Sequence, residues 1–565
     1  MIITLGFLAF FWAIAISLLL FPYYSNDHDE LVYILQAQML LQGKLYLAAD
    51  EFSRFFTPFF FINDGEKVFS KYTPVHAGFL ALGNLLFGSM RVSIGLVAAL
   101  NVVIFYLFTL ELYPDRRFAL KAAAVLLLSP LFLVQSATFL PYTTGLMLLL
   151  AFGFLLLRGV RTGSLPFLVP SGLALGLAFF HRPYDALLFA TPFCLILLKL
   201  YWNKLGQLLQ RGAWISMGFA PFLALTLGYN ALMTGNPLLF PFTFHEALDK
   251  LGFGLRRAHP TNTPLAFGWA EGIQGLWGNS VGLFYWTFGG PILILAMLVR
   301  LVTPHFQWQE GLLLLILVTF PLGYLFFWGP YHVAEIWNGL DYLGPFYYIP
   351  LLIPIILLGM RGVSYVFSKK QTAAVVLVSA MFAVDLLLVF DHISKNYRYT
   401  QENRAIYEPF LNQEISNALV FVPPLYGPFL LHPFGYLSNR PSLDGPLLFA
   451  LEHGSENLDL MERYPDRQPY RFDYRGYYTE EPDDVFDTEL VKLQGITTPE
   501  LTQSIRIVNP TSKPYVYTYV WNDGNTETYL LDDSSSTGSV YDVRWRVTPT
   551  EVTLEGPRIG KSRSE

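Results

Sequence analysis

MIITLGFLAFFWAIAISLLLFPYYSNDHDELVYILQA, residues 1–37, runs an apolar block from Ile2 to Pro22 straight into three carboxylates, Asp27, Asp29 and Glu30. At 1.5 Å of rise per residue the block is long enough to cross a hydrocarbon layer roughly 30 Å thick. No basic residue precedes it and no small-x-small cleavage pattern comes before Tyr23, so it reads as a retained anchor rather than a signal peptide. Similar blocks recur near residues 92–110, 118–135, 140–157, 166–180, 184–200, 212–232, 281–299, 311–328, 344–360 and 372–390. The expectation is a polytopic α-helical membrane protein of about eleven transmembrane helices. Composition agrees: 53% of residues are hydrophobic and 14% charged, against roughly 25% charged in soluble proteins, which excludes an ordinary soluble enzyme.

Charge divides the chain in two. Residues 1–395 carry 22 Lys+Arg against 18 Asp+Glu, and residues 396–565 carry 15 against 25. A membrane domain over 1–391 and an acidic soluble domain over 392–565 follow. Lys and Arg in short loops mark the cytoplasmic side. If the loop after the first span is outside, the alternate loops contain Arg116, Arg117 and Lys121, then Arg158 and Arg161, Lys199 to Arg211, Arg300, and Arg361 to Lys370, with almost no acids. The loops at 23–91 and 233–280 and the tail then share the outer face. Val75 to Gly88 is too short to span and is expected to lie at the interface. Cys194 stands alone, so no intrachain disulfide or thiolate metal site can form.

The first outer loop concentrates the chemistry. Asp29 and Glu30 open a short helix whose N-terminus favours carboxylates, and the plain reading of such an acid is a helix cap. Asp27, His28, Asp29 and Glu30 are consecutive, however, and would repel one another without a cation, substrate or basic partner. Lys71, further on, is expected at the start of the interfacial helix, where snorkelling to lipid phosphate is its ordinary role. Asp385 falls inside the last expected span and is costly there unless paired. The tail reads as a small α/β segment with a strand at Leu419 to Val422 and a helix at Ser455 to Tyr464. A β-rich module follows, with strands from Tyr515 to Trp521, Thr526 to Leu531, Val540 to Val547 and Glu551 to Leu554, a hairpin turn at 522–525 and a disordered end from Gly560.

Several motifs carry a family resemblance. Asp29-Glu30-x-x-Tyr33-x-x-Gln36-Ala37 directly after the first span is followed by Gly43-Lys44-Leu45-Tyr46, Asp64-Gly65 and Lys71-Tyr72-x-Pro74-x-His76. Further along stand His181-Arg182-Pro183-Tyr184, Tyr229-Asn230 with Thr234-Gly235-Asn236-Pro237-Leu238, and Arg256-Arg257-Ala258-His259. Arg440 to Pro446 and Tyr464-Pro465-Asp466-Arg467 extend the pattern into the tail. Together they resemble the GT-C superfamily, in the branch of bacterial relatives of protein O-mannosyltransferases and lipid A aminoarabinose transferases. The chain departs from the usual Gly-Pro-Arg-Tyr element, reading Gly339-Leu340-Asp341-Tyr342-Leu343-Gly344-Pro345.

The resemblance implies a GT-C-like fold in a bacterial plasma (inner) membrane. It also implies an enzyme that moves a hexose or pentose from a polyprenyl-phosphate donor to a hydroxyl of an extracytoplasmic lipid, glycan or protein acceptor, with membrane lipids and no nucleic acid as partners. It aligns the family's catalytic acid with Asp29. Attack on an anomeric carbon needs a base on one side and neutralisation of the departing phosphate on the other. Asp29 is the expected base, oriented by Glu30, Asp27 or His28, and a single displacement inverts the anomeric centre. Lys71, Arg182, Arg256, Arg257 and His259 are the candidate phosphate ligands. A divalent cation, Mg²⁺ or Mn²⁺, is compatible with Asp27, His28 and Asp29 but not required. Phe55, Phe56, Phe59, Phe60, Phe61, Trp269, Trp277, Tyr285 and Trp286 suit an isoprenoid groove, although an interfacial aromatic belt explains most of them. The rival class is a transporter or flippase of a lipid-linked substrate. It favours inverted repeats and ionisable groups at mid-membrane, and the sequence has neither an evident repeat nor clustered mid-span charge.

Overall fold

Inside a bilayer no water is present to satisfy backbone N–H and C=O groups, so an apolar run closes its own hydrogen bonds as a helix. The computed structural model describes all residues except 261, 304–306, 412–414, 424–436, 477–485, 523–524, 556–559 and 562–565, and in it the apolar runs are helical. After α1 (Ile2–Leu20) come the amphipathic α2 (Asp29–Leu41), the short α3 (Ser53–Phe56) and a three-stranded sheet in which β3 (Lys67–Ser70) lies between β1 (Leu47–Ala48) and β2 (Phe61–Asn63). Next is α4 (Val75–Phe87), whose 13 residues are too few to span and which stops at Gly88 in the left-handed conformation, φ 72°. The body continues with α5 (Met90–Leu112), α6 (Arg116–Leu128), α7 (Pro130–Ala137), α8 (Tyr142–Thr162), α9 (Leu165–His181), α10 (Pro183–Tyr201) and α11 (Leu205–Thr234). A loop containing α12 (Pro241–His245) and the hairpin β4 (Gly254–Arg256) and β5 (Leu265–Phe267) leads to α13 (Trp269–Trp286) and α14 (Pro291–Val302). Then follow α15 (Trp308–Tyr324), α16 (Gly329–Tyr331) with a π turn to Ile336, α17 (Leu352–Lys369) and α18 (Gln371–Leu411).

Among the described residues seven helices are long and apolar enough to cross a membrane, and ten crossings result if each bent pair counts as one. The bends are 61° between α6 and α7, 107° between α13 and α14, and 86° between α15 and α16. The remaining expected span, α9, has 17 residues. Ser129, ahead of Pro130, breaks the first pair, as residues before proline avoid the helical region. At the second break the buried Asp385 accepts the N–H of Gly289 at 3.3 Å, which gives this intramembrane carboxylate a donor. Small residues set the closest helix contacts. A Cβ on Gly172 would lie 2.0 Å from the Ile215 carbonyl oxygen, and one on Gly218 2.1 Å from that of Val169, so α9 and α11 touch backbone to backbone.

The two ends of the bundle differ. Glu111 at the end of α5 binds Arg158 and Arg161 of α8, and Arg300 of α14 pairs with Glu310 of α15 at 2.9 Å, with Arg361 of α17 3.6 Å away. This end gathers the basic connections of the sequence. The first loop, the α7–α8 and α9–α10 turns, the loop after α11 and the segment around 324–347 gather at the other end, through contacts such as Tyr229 Oη to Tyr72 O and Gln135 Nε2 to Leu343 O.

Contact clustering divides the chain into two compact units, Met1–Lys492 and Leu493–Glu565. The first includes an α/β segment. Its fully buried β6 (Ala418–Val422) lies parallel to both β7 (Leu447–Leu451) and β8 (Gln468–Gly476), and β9 (Phe486–Lys492) closes the sheet antiparallel to β8. The helix α19 (Asn457–Arg463) presents Arg463 to Asp50 at 3.6 Å, while Glu456 meets Arg54 at 3.2 Å, so this segment is seated on the first loop. The second unit holds two antiparallel sheets. One is β10 (Leu501–Val508), β13 (Val540–Val547) and β14 (Val552–Glu555); the other is β11 (Val516–Asn522), β12 (Asn525–Asp532) and β15 (Gly560–Lys561). Gly560 and Lys561, expected in a disordered end, pair with Leu530 and Tyr529 instead. The centre of the expected hairpin turn, 523–524, lies outside the described residues.

Candidate functional site

Three acids within four residues take three different directions where α1 hands over to α2. Asp27 does the capping: its Oδ1 accepts the N–H of Asp29 at 3.0 Å, an Asx turn that starts the helix. Glu30, expected beside Asp29 in catalysis, is turned away. It is fully buried, and its two oxygens accept the N–H groups of Ser25 and Phe139. Successive helical residues point about 100° apart, so one step along α2 converts a cleft residue into a staple between the first loop and the α7–α8 turn. Asp29 keeps its carboxylate for the cleft and accepts the hydroxyl of Tyr72 at 2.7 Å.

Tyr72 is fixed on several sides. Its ring stacks on Tyr33 at 5.0 Å, and its carbonyl accepts Gln36 Nε2 at 2.9 Å and Tyr229 Oη at 3.2 Å. Next to it Lys71, only 3% exposed, points inward rather than to lipid. The residue is anchored by its N–H to Phe60 O, with Nζ 3.5 Å from the Phe60 ring centroid and 3.8 Å from Asp249 Oδ2. At that length the ion pair is not a hydrogen bond. The other oxygen of Asp249 accepts the Nε1–H of Trp328 at 3.2 Å. Arg182, at the corner between α9 and α10, lies over the rings of Tyr142 at 4.8 Å and Tyr347 at 5.5 Å.

Asp27 and Asp29 keep partial contact with solvent although protein surrounds them, as in a cleft. Burial, reinforced by the charge of Asp29, pushes the Asp27 carboxyl well above the usual range. Burial also raises Asp29, but Lys71, the Tyr72 hydroxyl and Arg182 pull it back. Both carboxyls are therefore raised, Asp27 the more strongly. Two histidines brace the floor. His76 contacts Phe139 O at 2.7 Å and Thr144 Oγ1 at 2.9 Å, with burial lowering its pKa to about 4, and His181 contacts Pro141 O at 3.1 Å.

The other expected cations are committed elsewhere. Arg256 is buried and donates to the carbonyls of Leu251, Phe253 and Leu255, tying its own loop together. Arg257 pairs with Glu246 at 2.7 Å and donates to Pro260 O. His259 stacks on Phe59 at 4.4 Å and faces His245 at 5.0 Å. His28 packs against Phe59 in a small recess that also includes Pro58 and Ser438. Asp27, His28 and Asp29 do not converge as metal ligands: among the described residues no group of three His, Cys, Asp or Glu is arranged to hold a metal ion. The expected aromatic groove separates into core rings such as Phe55, Phe61 and Trp286 and a strongly exposed set on α13, Trp269, Trp277 and Tyr285. Asp341, which stands in place of the arginine of the Gly-Pro-Arg-Tyr element, pairs with Lys395 of α18 at 2.7 Å.

Residues 71–229 match the family model described as dolichyl-phosphate-mannose-protein mannosyltransferase. The membrane body resembles the GT-C glycosyltransferases. The matched segment of this GT-C-like body begins at Lys71 and takes in Arg182 and Tyr229, while Asp29 precedes it. Residues 418–565 match a second model, described as a domain of unknown function (DUF7846). The search of curated proteins finds no match. Among solved structures, ArnT from Cupriavidus metallidurans bound to undecaprenyl phosphate is 14% identical, covering 81% of this chain and 92% of that one, with a TM-score of 0.45. The apo form of the same protein is also 14% identical, covering 80% and 88%, with a TM-score of 0.46. The Archaeoglobus fulgidus oligosaccharyltransferase complexed with Zn and sulfate is 11% identical, covering 73% and 60%, with a TM-score of 0.42.

Proposed function

We propose that this chain is a membrane glycosyltransferase that takes a sugar from a polyprenyl-phosphate donor and passes it, with inversion, to an acceptor hydroxyl on the outer face of the membrane. The single observation that carries the reading is one cleft holding an ionisable carboxylate, Asp29, within electrostatic reach of two cations, Lys71 and Arg182, of which Lys71 is only loosely paired. In the reaction Asp29 takes the acceptor proton, the acceptor oxygen bonds to the anomeric carbon, and the bond from that carbon to the phosphate oxygen breaks. Lys71 and Arg182 neutralise the polyprenyl phosphate as it leaves. Tyr72 holds the base in line, and Lys71 and Arg182 favour its charged form. The sorting of basic loops to the far end of the bundle supports an outer position for the cleft by the positive-inside rule. The α/β segment seated on the first loop suits a role in admitting the acceptor.

Purified protein incubated with a panel of polyprenyl-phosphate sugars and envelope-derived acceptors is expected to release polyprenyl monophosphate from one of them. Donor left intact by folded protein, with lipid-linked substrate instead moved across proteoliposomes, would establish the transporter reading.

A further inference from the structure

A second charged cluster, separate from the Asp29 carboxylate, lies where α9 turns into α10. Asp185 is buried in the first turn of α10. Its Oδ2 accepts the Nε–H of Arg182 at 2.6 Å, and its Oδ1 accepts the hydroxyl of Tyr324, the last residue of α15. Beside it Tyr184 donates its hydroxyl to Gly323 O, so the α9–α10 corner is fastened twice to the end of α15. The packing there is close, since a Cβ on Gly323 would lie 2.3 Å from Leu188.

This arrangement differs from an end-on arginine–carboxylate fork. The carboxylate takes the Nε–H and spends its other oxygen on a phenol, so the two terminal amino groups of Arg182 are left to Tyr142 and Tyr347, whose rings the guanidinium lies over, and to the Tyr324 hydroxyl, which makes a side-chain hydrogen bond with Arg182. Those two groups form the edge that grips a phosphate with parallel hydrogen bonds. A flexible arginine must lose rotamer freedom to do so, and a carboxylate clamped at Nε removes that freedom beforehand. Tyr324 also stands just before the 86° bend. Four residues later Trp328 holds Asp249, the partner of Lys71. One bend therefore sets both cations.

We propose that Asp185, anchored by Tyr324, is a positioning residue that aims Arg182 at the donor phosphate. The inference rests on the reading of the cleft as a polyprenyl-phosphate-sugar site. Binding of a polyprenyl monophosphate to the full chain in detergent, followed by tryptophan fluorescence, tests it without sugar or acceptor. Asp185→Asn is expected to weaken binding about tenfold, the loss of one hydrogen bond to a charged group. Arg182→Ala should weaken it at least as much, and the double variant no further than Arg182→Ala alone, because Asp185 acts through the arginine. Tyr324→Phe, which removes only the hydroxyl, should give a smaller loss that also vanishes in the Arg182→Ala background, and it carries the test if Asp185→Asn does not fold. Undiminished binding in the folded single variants, or losses that multiply in the double variant, would overturn the proposal. Failure of the unsubstituted protein to bind any polyprenyl monophosphate would overturn the reading of the site and this inference with it.

Discussion

The two ends of the bundle use buried charge in opposite ways. At the basic end Glu310 is fully buried and held by Arg300 at 2.9 Å with Arg361 beside it, and Glu111 takes Arg158 and Arg161 at 3.0 and 2.6 Å. Each acid there has two arginines within 4 Å. At the cleft end Lys71 stands 3.8 Å from its only ion-pair partner among the described residues, and Asp29 is engaged by a phenol rather than a cation. At the basic end the buried acids meet arginines directly, whereas at the cleft end Lys71 and Asp29 are held in place by rings and backbone and left incompletely paired, and among the described residues there Arg182 alone has a close carboxylate, Asp185 at 2.6 Å.

Substitutions at the two ends should separate stability from turnover. The largest expected effect is on folding at the basic end. Arg300→Ala leaves Glu310 with one distant arginine and should cost about 3–5 kcal/mol, read as a large drop in the thermal unfolding midpoint, with specific activity of the folded fraction unchanged. At the cleft end Lys71→Ala should lower kcat by roughly 10²–10³-fold, the cost of removing a preorganised electrostatic group, while the unfolding midpoint barely moves. A loss of stability there as large as that of Arg300→Ala would erase the distinction. Tyr72→Phe should cost about tenfold in kcat/KM, one hydrogen bond to a charged group.

The pH profile sharpens the same contrast. A base acts when deprotonated, and burial raises the Asp29 carboxyl, so the acidic limb of kcat/KM should lie above the usual aspartate range, with activity falling as pH falls through it. Lys71 is the leading influence that lowers Asp29; in Lys71→Ala the limb should therefore move to still higher pH, and a limb that stays in place or moves down would contradict this electrostatic account. The smallest effect is expected at the surface. Arg54→Ala breaks a half-exposed pair with Glu456 and should change stability by no more than about 1 kcal/mol.

How much of this could be read in the sequence follows from where each partner lies along the chain. The helical body was legible because span length and apolar periodicity are local properties. Asp29, Lys71 and Arg182 stand in compact motifs, so their residue types could be picked out, and the structure brings them to one cleft. Glu30 groups with Asp29 in the sequence because they are neighbours; its real partner, the Phe139 N–H, lies 109 residues away. Asp249, Asp185 and Tyr324 gave no signal because each matters only through a residue on another element, as Asp185 does with Tyr324, 139 positions apart. Arg256 and Arg257 looked like a phosphate patch because a basic doublet does not reveal which carbonyls and carboxylates its own loop will supply. Pro130, Pro291 and Pro330 open the second half-helices, but helical periodicity alone does not distinguish one straight span from two half-spans.

The central claim is that Asp29 is the base. Its most direct test compares the unsubstituted protein with Asp29→Asn on the same polyprenyl-phosphate sugar, measuring both polyprenyl monophosphate release and donor binding. The account predicts that the amide variant folds and binds donor while its turnover falls by about 10²–10⁴-fold, the usual worth of a positioned general base. Equal turnover in the two proteins would contradict it.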